Sequence, residues 1–179
     1  RAMSTLSNAS RLRRALASGA VATVLIGTSS PMAAAAGELD GIADPALRAC
    51  VTRNITQYNV AAPSKLESLL CRTEDGVVRQ LTGVDALVGL KNLILQDSEV
   101  TNLEALRGLP GLLRVGIQTT GSLDPSPLVD LPDLFWLQLR ERSRSEISFV
   151  PSLSALTTLT LELSPTADLS PVLDASGLE

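Results

Sequence analysis

The chain has 179 residues, 45% of them hydrophobic and 19% charged, an ordinary composition for one globular domain. It contains no histidine, which excludes Ser-His-Asp and Cys-His catalysis and every histidine-containing metal site, and its two cysteines, far apart in sequence, make no zinc site. Tyr58, Phe135, Trp136 and Phe149 are its only aromatic residues, and 19 acidic residues against 15 basic ones, with no basic stripe, disfavour nucleic acid.

Arg1, Arg11, Arg13 and Arg14 precede a stretch without charge that runs to Glu38. Residues 11–36, RLRRALASGAVATVLIGTSSPMAAAA, combine a basic front, an apolar run from Ala15 to Thr28 and small residues fitting an A-x-A cleavage site. This predicts an export signal over residues 1–36, with Met3 as the natural start and Arg13-Arg14 compatible with a twin-arginine route. An uncleaved membrane anchor is the competing reading. The Ala, Gly, Ser and Thr content and Pro31 favour cleavage, which leaves no membrane segment. Setting those four arginines aside makes the remainder more acidic still, with a net charge of −8 where the full chain carries −4.

Past the leader, Asp44 as N-cap, Pro45 at the first helical position, and Leu47, Val51 and Ile55 at i, i+4 and i+8 predict an amphipathic helix. Ser64 and Glu67 fit an S-x-x-E capping box, which predicts a second short helix through Leu69. Asn54-Ile55-Thr56 matches a glycosylation acceptor and, on a helix, reads as chance.

From there a period of 22 governs the chain. Leu93 and Leu95 recur as Val115 and Ile117, Leu137 and Leu139, and Leu159 and Leu161. Leu87, Leu109, Leu131 and Leu153 form a second column, and Leu90, Leu112, Leu134 and Leu156 a third, with Leu178 in phase. Leu106, Leu128, Val150 and Val172 form a fourth, and Leu103, Pro125, Ile147 and Leu169 a fifth interrupted by proline. Each unit reads L-x-x-L-x-x-L-x-L, whose last part is the leucine-rich repeat signature. In L-x-L, strand alternation sends both leucines to one side. On the return limb a spacing of three suits 3₁₀ turns, where residues i and i+3 eclipse. The predicted fold is an α/β solenoid: short parallel strands on a concave face, 3₁₀ turns on the convex side, and a helical cap at the N-terminal end. A parallel β-helix is the remaining alternative. The expected division is a signal over 1–36, a cap over 37–70, and about five coils over 71–179.

Residues 42–179 resemble the internalin-like leucine-rich repeat proteins of bacteria, whose repeats have the same period and form a shallow solenoid headed by a small helical cap. The resemblance implies a non-catalytic domain, secreted or attached to the cell envelope, that recognises a protein. Cys71 falls one period before Leu93, in a first degenerate coil, and Cys50 lies on the predicted helix. In an exported protein cysteines so placed suggest a disulfide tying cap to coil, the alternative being two separately buried thiols. The chain departs from the family at the Asn that usually follows the strand, where Ser98, Thr120, Arg142 and Ser164 stand; Ser and Thr can make weaker turn bonds. The C-terminal end leaves two expectations: a last coil acting as its own cap, or a longer protein of which this is a leading domain.

Glycine-rich phosphate loops are absent, and Glu74, Asp97, Glu141 and Glu162 read as solvated strand-edge carboxylates rather than a catalytic pair. No cofactor is expected. The run Arg140 to Glu146, RERSRSE, reads as a solvated turn, with an acidic-partner rim as the alternative. The candidate site is the outward face of the strands, in three columns. These are Asn92, Arg114, Trp136 and Thr158; Ile94, Gly116, Gln138 and Thr160; and Gln96, Gln118, Arg140 and Glu162. A protein or glycan ligand is expected there. Trp136 and Arg114 are of the types that dominate interfaces, whereas a Trp136 lying over Gly116 would be filler. The alternative function is a structural envelope scaffold in which the repeats act as a spacer.

Overall fold

The computed structural model describes residues 39–144, 146–165 and 167–178; the expected leader over 1–36 lies outside them. Helix α1 (Pro45–Tyr58) starts as the sequence predicts, with the Asp44 side chain accepting from the backbone N–H groups of Ala46 (2.8 Å) and Leu47 (3.0 Å). Five strands follow: β1 (Ser68–Cys71), β2 (Asn92–Ser98), β3 (Arg114–Thr119), β4 (Trp136–Arg144) and β5 (Thr158–Leu163). They form one parallel sheet in the order of the chain. A short helix α2 (Ser170–Leu173) closes the described chain.

The register of the sheet is the repeat itself. Leu93 pairs with Val115, Val115 with Leu137 and Leu137 with Leu159, each one full period on. The three-residue leucine spacing is the 3₁₀ bond pattern: the N–H groups of Leu106, Leu109 and Leu112 donate to the carbonyls of Leu103 (2.8 Å), Leu106 (2.9 Å) and Leu109 (3.1 Å). The same chain of bonds runs through Leu81–Leu90, Pro125–Leu134 and Ile147–Leu156. Between the limbs these aliphatic side chains are buried in one continuous core, so each coil depends on its neighbours. Burial falls off at the C-terminal end, where Leu159 and Leu161 are half-buried and Leu169 and Leu173 are 56% and 87% exposed.

Three expectations are corrected. The Ser64–Glu67 segment forms a 3₁₀ turn, Pro63–Lys65, with no side-chain cap, and the chain is already extended by Ser68. Strand pairing overrides the capping box: the Glu67 carbonyl accepts from the N–H groups of Lys91 (2.9 Å) and Asn92 (3.0 Å), and its carboxylate meets Lys91 Nζ at 2.9 Å. The first coil is also longer than the period that governs the others. Leu69 pairs with Leu93 and Cys71 with Leu95, an offset two positions greater than between later strands. The extra length lies between Cys71 and Val78, in a 3₁₀ turn over Thr73–Asp75 followed by Gly76 at φ +98°. Finally, the charged run is no solvated turn. Strand β4 continues through it to Arg144, bulging between Arg140 and Arg144, and Glu141 and Arg144 are each 6% exposed. The two are joined by an ion pair and clamp Leu123, whose N–H donates to Glu141 Oε2 (2.8 Å) and whose carbonyl accepts from Arg144 Nη2. The carboxylates of Glu74, Asp97 and Glu162 are exposed as expected.

The cap blocks the open edge of β1. Asn54, 1% exposed, reaches Leu70 from the helix: its Oδ1 accepts from the Leu70 N–H (3.3 Å), and its Nδ2 donates to the Leu70 carbonyl (3.1 Å). Arg53 adds a second donor to that carbonyl at 2.6 Å. A side-chain amide thus substitutes for a missing neighbouring strand. It also makes Asn54 unavailable as a glycosylation acceptor. Cys50 and Cys71 form a disulfide between α1 and β1, with Cα atoms 5.3 Å apart, and both residues are buried.

Candidate functional site

The strands place their outward residues in level rows. Asn92, Arg114, Trp136 and Thr158 pair in register, as do Ile94, Gly116, Gln138 and Thr160, and Gln118, Arg140 and Glu162. Gln96 is exposed on the same strand as Ile94, where the pairing shifts between Leu95 and Ser98. The shift centres on Asp97, which sits at φ +52° and joins two neighbouring coils: its carboxylate accepts from the Thr73 hydroxyl (2.5 Å) and from Gln118 Nε2 (3.1 Å).

The middle of the face is built around Gly116. A Cβ there would lie 2.8 Å from Ile94 Cδ1 and 3.2 Å from Trp136 Cζ3, so the absent side chain is what lets the indole lean in from one strand and Ile94 from the other. The Arg114 guanidinium lies 5.3 Å from the Trp136 ring centroid and 5.7 Å from that of Phe135, within cation–π range. With its Oε1 turned toward Arg140, Gln138 accepts from Nε (2.8 Å) and Nη2 (3.1 Å). A dimple of about 80 Å³ lies among Ile94, Gln96, Gly116, Gln118, Gln138 and Arg140. Small-molecule sites run to several hundred cubic ångströms, so this hollow is too small to enclose a metabolite.

The sequence reading missed a polar column. Asn102, Asp124, Glu146 and Asp168 recur at the same period, and each accepts from a backbone N–H two positions on: Glu104 (2.6 Å), Ser126 (2.9 Å), Ser148 (3.1 Å) and Ser170 (2.9 Å). These bonds start the convex turns. Side-chain bonding to Ser126, Ser148 and Ser170, then the backbone N–H, holds Asp124, Glu146 and Asp168 below the usual carboxylate range. The signal was available as a D/E-x-S pattern in phase with the leucines. The column is structural, and among the described residues no group of three or more His, Cys, Asp or Glu could hold a metal ion. No helix among them is long and apolar enough to cross a membrane.

Parallel strands stacked at a repeat of 22, 3₁₀ turns opposite them and a helical cap define a leucine-rich repeat solenoid. Its solved relatives in shape are internalin-like. An internalin (inlF) from Listeria monocytogenes superposes with a TM-score of 0.61 at 19% identity, over 79% of this chain and 49% of that one. A leucine-rich repeat protein from Leptospira interrogans matches with a TM-score of 0.53 at 20% identity, over 65% of this chain and 30% of its own. The functional domain of InlJ from Listeria monocytogenes, which includes a cysteine ladder, matches at 0.51 and 19%, over 79% of this chain and 37% of its own. The chain thus spans about half the length of the inlF internalin. No protein-family model and no curated protein matches the sequence.

Proposed function

We propose that the chain is an exported, non-catalytic binding protein that engages another protein through the concave face of its solenoid. The observation carrying this reading is the face itself. It presents an outward half-buried indole, two arginines and three glutamines on adjacent strands, where a solenoid otherwise needs only solubility. The basic, apolar and small-residue parts of residues 1–36 and the cap-to-coil disulfide support export into an oxidising compartment, secreted or at the cell envelope. The solenoid supports recognition of an extended surface rather than turnover.

The test is capture from envelope and extracellular extracts by the wild-type chain and by a Gln118→Ala, Trp136→Ala, Arg140→Ala variant with matching circular dichroism. A protein retained by the wild type and lost by the variant is the expected result. Identical capture by both, or none by either, refutes the concave-face reading and leaves the spacer role.

A further inference from the structure

Within this concave-face reading, we propose that Arg114 is its anchor, a receptor for one carboxylate carried beside a bulky apolar residue on an extended segment of the partner protein. Among arginines whose side chains are described, five meet a carboxylate, and Arg48 and Arg140 meet a carbonyl or amide oxygen. Arg114 alone does neither. Its guanidinium lies on aromatic faces, 5.3 Å from Trp136 and 5.7 Å from Phe135, with no hydrogen bond or ion pair to any described residue. In a chain whose acidic residues outnumber its basic ones, an exposed arginine that meets no carboxylate among the described residues is available for an acceptor from outside. The rings orient the planar fork without engaging its N–H donors, the arrangement a carboxylate needs for a bidentate pair.

The surroundings select the kind of acid. Phe135 is 37% exposed, Trp136 is half-buried, and Ile94 lies on the far side of Gly116, so an apolar seat adjoins the cation. The in-register neighbours of the Arg114–Trp136 pair, Asn92 and Thr158, carry no charge, and nearby Lys91 is engaged by Glu67. A sulfated or carboxylated glycan presents charges in series and needs a run of cations. Here the other arginine of the columns, Arg140, is engaged by Gln138, and exposed Glu162 in register with it and Asp97 bonded to Gln118 would repel such a chain. One carboxylate next to a hydrophobic side chain fits; a polyanion does not.

Trp136 is the only tryptophan, so the full chain reports on this spot through a single indole N–H resonance. The probes are an acetylated, amidated hexapeptide pool with a central glutamate flanked by Leu, Ile, Phe or Tyr, the matched glutamine pool, and a sulfated heparin hexasaccharide. The glutamate pool should shift the indole and Arg114 Nε–H signals saturably, about tenfold or more tighter than the glutamine pool. Arg114→Gln should erase that difference, and about 0.5 M salt should weaken it. Equal binding of the two pools, no binding of either, a preference for the hexasaccharide, or discrimination surviving in Arg114→Gln each overturns the proposal. If any of these occurs while the Gln118, Trp136 and Arg140 variant still loses its captured protein, the concave-face reading stands and only the anchor falls.

Discussion

Asp44 holds cap and solenoid together through four backbone donors, and dividing them gives a quantitative test. One oxygen caps α1 through Ala46 and Leu47, while the other accepts from the N–H groups of Arg79 (2.8 Å) and Gln80 (3.3 Å) in the first coil. Losing a helix N-cap costs about 1 kcal/mol. Losing one good and one long bond to a charged acceptor costs roughly 2 kcal/mol more. Asp44→Ala should therefore destabilise by about 3 kcal/mol, roughly 10 °C in Tm for a chain of this size. Asp44→Ser keeps the cap and should lose only the second part. Asp44→Asn should be no better than Ser, though Asn ranks at least as high as an N-cap, because its NH₂ would face the two donors of the coil. Urea unfolding followed by circular dichroism gives all three values. If Asp44→Ser and Asp44→Asn both match the wild type, the second oxygen contributes nothing and the cap is not tied to the coil in this way.

Reducing the Cys50–Cys71 bond, whose partners are separated by 21 in sequence, should lower stability by about 3 kcal/mol, read as a fall in urea midpoint in the presence of reductant. Asp75 is held below the usual carboxylate range, chiefly by its side-chain bond to Arg53. Its contribution to stability is thus complete above the unfolded carboxylate pKa of about 4 and is lost as pH falls through the lower folded value. Asp75→Asn should flatten the acid limb of a stability–pH curve and leave its shape near neutrality unchanged. Gly116→Val should push the indole off the face while the fold persists, seen as a red shift of Trp136 emission beside unchanged far-ultraviolet circular dichroism. Leu137→Ala in the sealed core should cost about 2–5 kcal/mol and Leu159→Ala in the half-open last coil clearly less, by urea titration of each variant.

Period was the readable quantity, and it settled what depends on period. In a solenoid the sheet register equals the repeat, so aligning Leu93, Val115, Leu137 and Leu159 by sequence also aligned them in space. Asp44 and Pro45 were legible because an N-cap and the first helical turn are local. The insertion before Val78 was not legible: everything from Val78 onward stays in phase, so a fixed offset of 22 set Cys71 against Leu93 when its partner is Leu95. That insertion builds the turn carrying Asp75, which Arg53 grips at 2.6 Å through both Nε and Nη2. The burial of Glu141 and Arg144 was hidden for a different reason. A charge run reads as solvated unless a bulge turns it inward, and here the two backbone groups of Leu123 reward that turn. On the concave face the sequence placed the columns, but which arginine lacks an acceptor depends on side-chain geometry that no spacing encodes.

The distribution of polar partners follows from how a solenoid is built. Hydrophobic burial holds neighbouring coils together everywhere, so polar groups are needed only where the stack is interrupted. Those places are the β1 edge, the insertion at Asp75, the shift of β2 at Asp97, the bulge of β4 and the start of each convex turn. At Asp97 the partners are side chains; at the others a named side chain satisfies a named backbone group: Asn54 on Leu70, Asp75 on Arg72, Glu141 and Arg144 on Leu123, Asp124 on Ser126. The centre of the concave face interrupts nothing, since its strands are paired on both sides. Gln118 there bonds Asp97 across two coils and the Trp136 ring covers Gly116, but the Arg114 guanidinium, held on two rings, satisfies no backbone group of the described residues. On the function proposed above, contact with another molecule accounts for that arginine.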